Sequence, residues 1–449
     1  MPSTADSPRS VALRALLTGG DAKAALDRAL RGVRLDARDR ALATELVNGA
    51  LKMRRALEWS LARFLRKPFD ALDAPLRCTL LLGAYQLLYA GRIPAHAAVN
   101  ETVALARSTG HSGTAALANA VLRKLAADAR RPPVPADGDV VGLATYASLP
   151  DWIAEHLIAR FDRRALDIAE GMNAPPRVAI RVNTARWSGD EARAALEVAG
   201  ADIASGAYGI AECLVVRGAP GSAADLLRER IAAGDLALQS EESQFAIELL
   251  DPKSGETILD VCAGRGTKTA LIALRLRGTG RIISIDDDEK KLGVLRESLQ
   301  RAGLGAVVTV ACDARVAYPQ SVPREADAAI VDAPCSGIGI LGRRADARWR
   351  KHAADCERFA RVQAPILRHA AERIRVGGRL LYVTCSTSPV EDEGVIEEFL
   401  RGHAGWRAIT LVPPATDAAN VGPYLLTTPG VAGNDGFFYA LLERSPAHG

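Results

Sequence analysis

The sequence predicts a multidomain protein, in which an all-α N-terminal bundle precedes a small α+β domain and a C-terminal α/β domain. Three observations support this prediction. Apolar residues recur at helical spacing throughout residues 10–128, a proline-rich stretch follows at residues 132–138, and strand patterns alternate with helix patterns from Gly255 onward. A chain of 449 residues is also long for one domain.

The N-terminal part, residues 1–130, has the pattern of a helical bundle. Leu81, Leu82, Tyr85 and Leu88 repeat at helical spacing, and glycine or proline falls between the periodic segments. The segment Pro132–Pro135 is stiff and is followed by polar residues. We therefore expect a domain boundary there.

The middle part, residues 140–250, mixes the two kinds of pattern. It predicts a helix over Trp152–Gly171, a strand over Val178–Val182, a second helix over Asp190–Ala199 and a weaker strand near Leu214–Val216. The pattern does not determine how these elements are arranged.

The C-terminal part, residues 251–449, predicts a doubly wound, mostly parallel sheet with helices on both faces. Ligands of such sheets bind outside the carboxyl ends of the strands. The predicted strands are Thr257–Val261, Arg281–Ile285, Val307–Val310, Ala328–Val331, Arg379–Val383, Ala408–Val412 and Phe437–Leu442.

Composition excludes several classes of protein. No apolar run is long enough to cross a membrane, and the seven cysteines include no C-x-x-C pair, so we expect a cytoplasmic protein with reduced thiols, no membrane association and no metal. Residues 1–130 contain 20 Lys+Arg and 11 Asp+Glu, a net charge of +9, whereas the remainder is net negative. This asymmetry indicates either an RNA partner or an ordinary arginine-rich surface.

The loop after the first C-terminal strand has the features of a cofactor site. Its glycines allow a tight turn and close approach of a ligand to the N-terminus of the next helix. Asp286 and Asp313 follow the second and third strands, where they would reach the ribose and the adenine of an adenosine-type ligand. S-adenosylmethionine fits better than NAD, since the chain offers two thiols and a carboxylate but nothing suited to hydride transfer. The loop residues are Cys262, Ala263, Gly264, Arg265, Gly266, Thr267 and Lys268.

Two further strands end at cysteines, Cys335 in D-A-P-C-S and Cys385 in T-C-S. Cys385 taken alone is more typical of a small buried hydrophobic residue than of a nucleophile. Two thiols at neighbouring strand ends instead favour covalent catalysis on cytosine, because a thiolate that adds to carbon 6 makes carbon 5 nucleophilic. Asp332, three residues before Cys335, is suited to hold the nitrogen edge of the ring.

The paired D-A-P-C-S and T-C-S motifs resemble those of the RNA cytosine 5-methyltransferases, and the whole chain resembles the bacterial Sun/RsmB type that methylates small-subunit ribosomal RNA. The later stretch with Gly339, Arg343, Asp346 and Trp349 and the closing D-G-F-F at residues 435–438 also match. Residues 83–89, 92–101 and 119–123 are similar to the NusB-like helical RNA-binding domain of that family. The resemblance covers nearly all of the chain.

The resemblance implies a Rossmann-like methyltransferase domain in which Cys385 attacks the base and Cys335 assists release of the product. It also implies that S-adenosylmethionine is held by residues 262–268 and by Asp286, Asp313 and Asp332. We expect a monomer that binds small-subunit ribosomal RNA.

This sequence departs from the family pattern C-A-x-P-G-G-K-T at two positions. Arg265 replaces the proline and Thr267 replaces the second glycine. We expect a working cofactor site with altered affinity, because Arg265 adds a cation and Thr267 loses the freedom for positive φ.

Two alternatives stay open. One is a non-catalytic RNA-binding or assembly factor with a degenerate cofactor loop. The other is a DNA cytosine methyltransferase, which would attack with Cys335 and leave Cys385 without a role.

Trp349 and the arginines around it fit two interpretations equally well, a surface that binds RNA and a partly buried basic helix. Those arginines are Arg343, Arg344, Arg348 and Arg350.

Overall fold

The computed structural model describes residues 7–109, 112–305, 307–414 and 418–446. They fall into two compact units. One comprises the residues up to 173 together with Leu341–Lys351, and the other comprises Ala174–Ile340 and the residues from 352 onward. Within the described residues, no helix is long and apolar enough to cross a membrane.

The first unit is helical, as the periodicity predicts. Aspartate or serine caps several of these helices by accepting a hydrogen bond from a first-turn N–H, as Asp36 and Asp73 do. Gly49 packs directly against Tyr85, where a Cβ would lie 2.0 Å from the ring. The helices are α1 Pro8–Thr18, α2 Ala22–Leu30, α3 Ala37–Lys52, α4 Arg54–Ala62, α5 Ala74–Leu88, α6 Ala95–Thr109, α7 Ser112–Ala127, α8 Val140–Tyr146, α9 Asp151–Phe161 and α10 Ala165–Gly171.

The helix predicted over Trp152–Gly171 is interrupted. It divides into α9 and α10 at Asp162, whose φ of +48° lies in the left-handed region. Apolar periodicity continues across the break, so the pattern alone did not reveal it.

The segment Leu341–Lys351 inserts into the helical unit through Arg348, whose side chain is 0% exposed. The Arg348 guanidinium donates to Asn173 Oδ1 at 2.9 Å and to the Ser148 carbonyl at 3.1 Å. Burial lowers the pKa of Arg348 to about 10. Trp349 Nε1 donates to the Leu51 carbonyl at 2.6 Å. The interpretation as a surface that binds RNA is therefore wrong for Arg348, which is inside the protein.

The second unit contains two sheets. The smaller sheet is antiparallel with the order β2-β3-β1-β4, and helices α11 and α12 pack against it. The prediction missed its two shorter strands, β2 and β4. The elements are β1 Val178–Val182, α11 Gly189–Val198, β2 Asp202–Ser205, β3 Cys213–Gly218, α12 Ser222–Ala233, β4 Leu236–Leu238 and α13 Glu241–Leu250.

The larger sheet has a parallel part and an antiparallel end. The order is β11-β12-β13-β9-β8-β5-β6-β7, and β10 pairs with β13. Strands β5 to β9 pair in parallel, whereas β10 to β13 are antiparallel. The strands are β5 Thr257–Val261, β6 Arg281–Asp286, β7 Val308–Ala311, β8 Ala326–Asp332, β9 Ile374–Thr384, β10 Trp406–Ile409, β11 Ala418–Val421, β12 Tyr424–Thr427 and β13 Phe438–Arg444.

In chain order, helices alternate with the parallel strands, and they cover the sheet. The prediction of a doubly wound sheet is therefore confirmed. They are α14 Thr267–Leu276, α15 Glu289–Ala302, α16 Ala354–Ala371 and α17 Glu393–Gly402. Strand order reverses between β5 and β8, which makes the carboxyl ends of these two strands the switch point where ligands of such sheets bind.

Candidate active site

The loop after β5 has the tight geometry that its glycines predict. Gly264 and Gly266 have φ of +57° and +80°, and a Cβ at Gly266 would lie 2.4 Å from Leu295. Cys262 also adopts a left-handed φ, of +61°. Thr267 is the first residue of α14, outside the left-handed region, so the expected loss of positive-φ freedom does not apply to it. Arg265 is exposed.

The two carboxylates predicted to contact an adenosine ligand differ in their surroundings. Asp286 is 5% exposed and accepts hydrogen bonds from Gly264 N at 2.9 Å and from Lys291 Nζ at 3.2 Å. Asp313 is paired with Arg315, whose hydrogen bonds lower the pKa of that carboxyl. Asp286 is thus hydrogen-bonded into the loop, whereas the Asp313 carboxylate accepts its hydrogen bonds from Arg315, two residues further along the chain.

A third pair links the cofactor loop to β8. Lys268 Nζ donates to Asp332 Oδ2 at 2.6 Å, and Lys268 is 7% exposed. Asp260 lies deeper, with no exposed surface, and accepts from the Thr269 hydroxyl. Burial raises the pKa of Asp260 to about 7, and the charge of Asp332 adds to this.

The two motif thiols meet at the carboxyl ends of β8 and β9. Cys335 Sγ and Cys385 Sγ are 3.3 Å apart, within hydrogen-bonding distance for sulfur. The hydrogen bond with Cys385, burial, and the charge of Glu391 together raise the pKa of Cys335 well above its ordinary value. Cys335 therefore keeps its proton at neutral pH.

The D-G-F-F motif supports the Cys385 loop through backbone contacts. Gly339 N donates to the Cys385 carbonyl at 3.1 Å, and Gly436 N donates to the Gly339 carbonyl at 2.8 Å. A Cβ at Gly339 would lie 1.9 Å from the Gly436 carbonyl oxygen, so only glycine fits there. The next residue of the motif, Phe437, lies under Lys268, with 5.9 Å between Nζ and the ring centroid.

Sequence reasoning missed two buried polar residues of this region. Arg181 of β1 donates to the Thr267 carbonyl at 2.6 Å and so links the small sheet to the start of α14. Glu391 lies beneath the two thiol loops and is 0% exposed. The only available signal was a charged residue within a strand pattern for Arg181, and an acidic run after T-C-S for Glu391.

The switch-point loop, the carboxylates after the strands and the antiparallel end of the sheet define a class of protein. It is an α/β methyltransferase with a Rossmann-like sheet, preceded by a helical domain and a small antiparallel domain.

Comparison with known proteins narrows this class to a family. The protein-family model with the description 16S rRNA methyltransferase RsmB/F matches residues 247–443. The NusB family model matches residues 6–127, and that of the RsmF/B-like, ferredoxin-like domain matches residues 149–219.

The relatives cover nearly the full length of this chain. Ribosomal RNA small subunit methyltransferase B of Pseudomonas putida is 34% identical over 98% of this chain and 99% of its own. A Bacillus subtilis protein with the name probable ribosomal RNA small subunit methyltransferase B is 31% identical over 98% of this chain and 99% of its own. The crystal structure of PH0851 shares the fold, with a TM-score of 0.79 at 24% identity over 97% of this chain and 99% of that one. The chain belongs to the RsmB/F family of 16S rRNA methyltransferases.

Proposed function

We propose that this protein methylates carbon 5 of a cytosine in small-subunit ribosomal RNA, with S-adenosylmethionine as the methyl donor and Cys385 as the nucleophile. The observation that carries the proposal is the 3.3 Å separation of the Cys335 and Cys385 sulfur atoms. Only one of two such thiols needs to attack, and we assign that role to Cys385 because it stands in the T-C-S motif, whereas Cys335 stands in the D-A-P-C-S motif. The raised pKa of Cys335 supports this assignment.

The residues after β5, β6 and β8 fit the proposed methyl donor. The N-terminus of α14, with two left-handed glycines before it, leaves room for a ligand to approach the backbone, and Asp286, Asp313 and Lys268–Asp332 supply polar groups around it. When bound, S-adenosylmethionine supplies an electrophilic methyl group. We assign residues 262–268, Asp286, Asp313 and Asp332 to its binding.

The reaction itself needs two sulfur atoms and an acid. The Cys385 thiolate adds to carbon 6 of cytosine, and carbon 5 bonds to the methyl group that S-adenosylmethionine would supply, leaving S-adenosylhomocysteine. A base then takes the carbon 5 proton, and the electron pair of that bond expels the Cys385 thiolate. Asp332 holds the nitrogen edge of the ring, and Cys335 assists the release of Cys385. The target base must leave its stack to reach these residues, so single-stranded or unfolded RNA is the expected substrate.

The wider organisation is proposed on the same grounds. We propose an RNA-binding NusB-like domain over residues 1–130, a small domain over 140–250 and the methyltransferase domain over 251–449. Their support is the three family models and the net charge of residues 1–130. We further propose that the protein acts as a cytoplasmic monomer, which sedimentation of the full chain with and without RNA would test.

The nucleophile is tested by trapping the covalent intermediate. Cys335→Ala protein mixed with S-adenosylmethionine and unmodified ribosomal RNA should accumulate a protein–RNA adduct that survives denaturing electrophoresis. The adduct should disappear when Cys385→Ser is added to that variant, and Cys78→Ala, which alters a thiol of the helical unit, should leave turnover unchanged. An adduct that persists in the double variant would show that another residue attacks.

A further inference from the structure

Glu391 lies where the two thiol loops and helix α16 meet. Its side chain is 0% exposed, and its carboxylate accepts four hydrogen bonds. Oε1 accepts from Ser336 N at 2.6 Å and from Gln363 Nε2 at 3.3 Å. Oε2 accepts from the hydroxyls of Ser336 and Ser386, the latter at 2.8 Å. A carboxylate has about four lone-pair sites, so this one is fully used.

The donors to Glu391 come from three separate elements. Ser336 follows Cys335 in the loop after β8, and Ser386 follows Cys385 in the loop after β9. Gln363 belongs to α16 and also donates to the Pro334 carbonyl at 2.9 Å, on the other side of Cys335. One carboxylate thus bonds to the residue after each thiol.

We propose that Glu391 is a positioning residue that holds the Cys335 and Cys385 loops at their working separation. The proposal rests on the proposed function, in which both thiols act on one base. Glu391 does not touch the reacting atoms in this role. It adds to the direct bonds between the two loops, which are the Ser336–Ser386 hydroxyl contact at 3.2 Å and the backbone bonds from Gly339 to Cys385 and from Ala333 to Val383.

Other roles for a buried carboxylate fit less well. Within the described part of the chain, no lysine, arginine or histidine forms an ion pair with Glu391, so it does not serve to neutralise a buried cation. Its partners are amides and hydroxyls, which a glutamine side chain of the same shape can also satisfy if its carbonyl faces Ser336 N and its amide faces the two hydroxyl oxygens. Alanine at this position would leave the donors without an acceptor.

The separation of the thiols can be measured without any methyl transfer. Diamide takes two protons and two electrons from two thiols, which leaves a disulfide and the reduced hydrazine form of the reagent. The rate at which the Cys335–Cys385 linked peptide forms, followed by mass spectrometry, therefore reports how closely the two sulfur atoms approach.

Glu391→Ala should slow this linkage at least about 10-fold relative to the native protein, because the two loops separate. Glu391→Gln should link at the native rate or faster. Removal of the negative charge lowers the pKa of Cys335, which by itself accelerates the reaction of both variants, so a slower alanine variant reports separation of the loops. Glu398→Ala, on the exposed face of α17, is the matched control and should link at the native rate.

Methyl transfer provides the second measurement. Glu391→Ala should lower kcat about 100-fold with KM for RNA within about threefold, and Glu391→Gln should restore most of the loss. If Glu391→Ala does not fold, Ser386→Ala removes one donor to Glu391, together with the contacts of that hydroxyl with Ser336 and Ser388, and should slow the linkage about threefold.

Three outcomes would overturn the proposal: native linkage rates in Glu391→Ala, native rates in Ser386→Ala where the first variant is unfolded, or a glutamine variant as slow as the alanine variant. If the linkage rates follow the expected order but the native protein transfers no methyl group to RNA, the proposed function fails and the positioning role of Glu391 stands.

Discussion

The cofactor loop and the thiol loops lie at the carboxyl ends of the same parallel strands, but different interactions hold them. In the cofactor loop, charged pairs such as Lys268–Asp332 and Lys291–Asp286 fix the side chains. Beneath the thiols, Glu391 is held by neutral donors away from solvent. Ion pairs that each include one buried side chain, Lys268 or Asp286, keep the cofactor loop together, and these charged groups are placed around the start of α14. The neutral bonds instead fix the distance between two sulfur atoms, which requires rigidity more than charge.

The largest effect is expected where the thiol loop is most tightly packed. Gly339→Ala places a methyl group 1.9 Å from the Gly436 carbonyl oxygen, which must displace the Cys385 loop. We expect kcat for methyl transfer to fall about 100-fold, the typical cost of a misplacement near 1 Å. Gly402→Ala, which makes the same change where a Cβ meets open space, is the control. Equal activities of the two variants would show that the packing at Gly339 does not set the thiol geometry.

The cofactor loop should be sensitive to charge. Lys268→Met keeps the length of the side chain but removes the partner of Asp332, so we expect S-adenosylhomocysteine to bind about 30-fold more weakly, as for a lost charge-assisted bond. Isothermal titration calorimetry checks this, with Lys290→Met on the exposed side of α15 as the control. The comparison between the two regions would fail if Lys268→Met bound the ligand as tightly as the native protein.

A smaller difference in ligand affinity is expected between variants of two carboxylates of the proposed cofactor site. Asp286→Asn replaces an acceptor of the Gly264 N–H with an amide that cannot accept on both sides, whereas Asp313→Asn alters a carboxylate whose partner is Arg315. We expect S-adenosylhomocysteine to bind about 10-fold more weakly to the first variant and about twofold more weakly to the second. The reverse order in the same titration would assign the ribose contact to Asp313.

The smallest effect concerns stability and pH. The pKa of Asp260 is raised from 3.8 to about 7 in the folded protein, so the folded state binds the proton more tightly than the unfolded state. The stability from this group is fully present below pH 4 and is lost as the pH rises through 7. Asp260→Asn removes this dependence. The Tm of the variant relative to the native protein should therefore rise by about 3 °C between pH 4 and 8. A constant difference would mean that Asp260 does not titrate in this range.

The two regions also differ in how far the sequence predicts them. Asp286, Asp332, Cys335 and Cys385 each follow an apolar run that ends abruptly, and the ends of parallel strands share one edge of the sheet, so their convergence follows from pattern. The residues that hold the thiols have no such signal. Glu391 lies in an acidic run that resembles a solvated turn, and the Gly436 contact joins distant parts of the chain.

The antiparallel end of the sheet is likewise poorly predicted from the sequence. The pattern predicts a strand near Ala408–Val412, whereas β10 spans Trp406–Ile409, and the pattern gives no signal for β11 and β12. These strands are four residues each, too short for alternation to distinguish them from a loop. Their pairing with neighbours, rather than their own sequence, stabilises them.

The burial of Arg348 has a practical consequence for dividing the protein into parts. The carbonyl of Ser148 and the side chain of Asn173 receive hydrogen bonds from Arg348, which occurs 200 and 175 residues later in the chain. A fragment that stops after α10 would lack this plug and the Trp349 indole that bonds to Leu51. The N-terminal fragment would then have buried hydrogen-bond acceptors without a donor. Its solubility and any affinity for RNA would not represent those of the intact chain. A graft of residues 341–351 onto the end of that fragment is the shortest addition that would fill it.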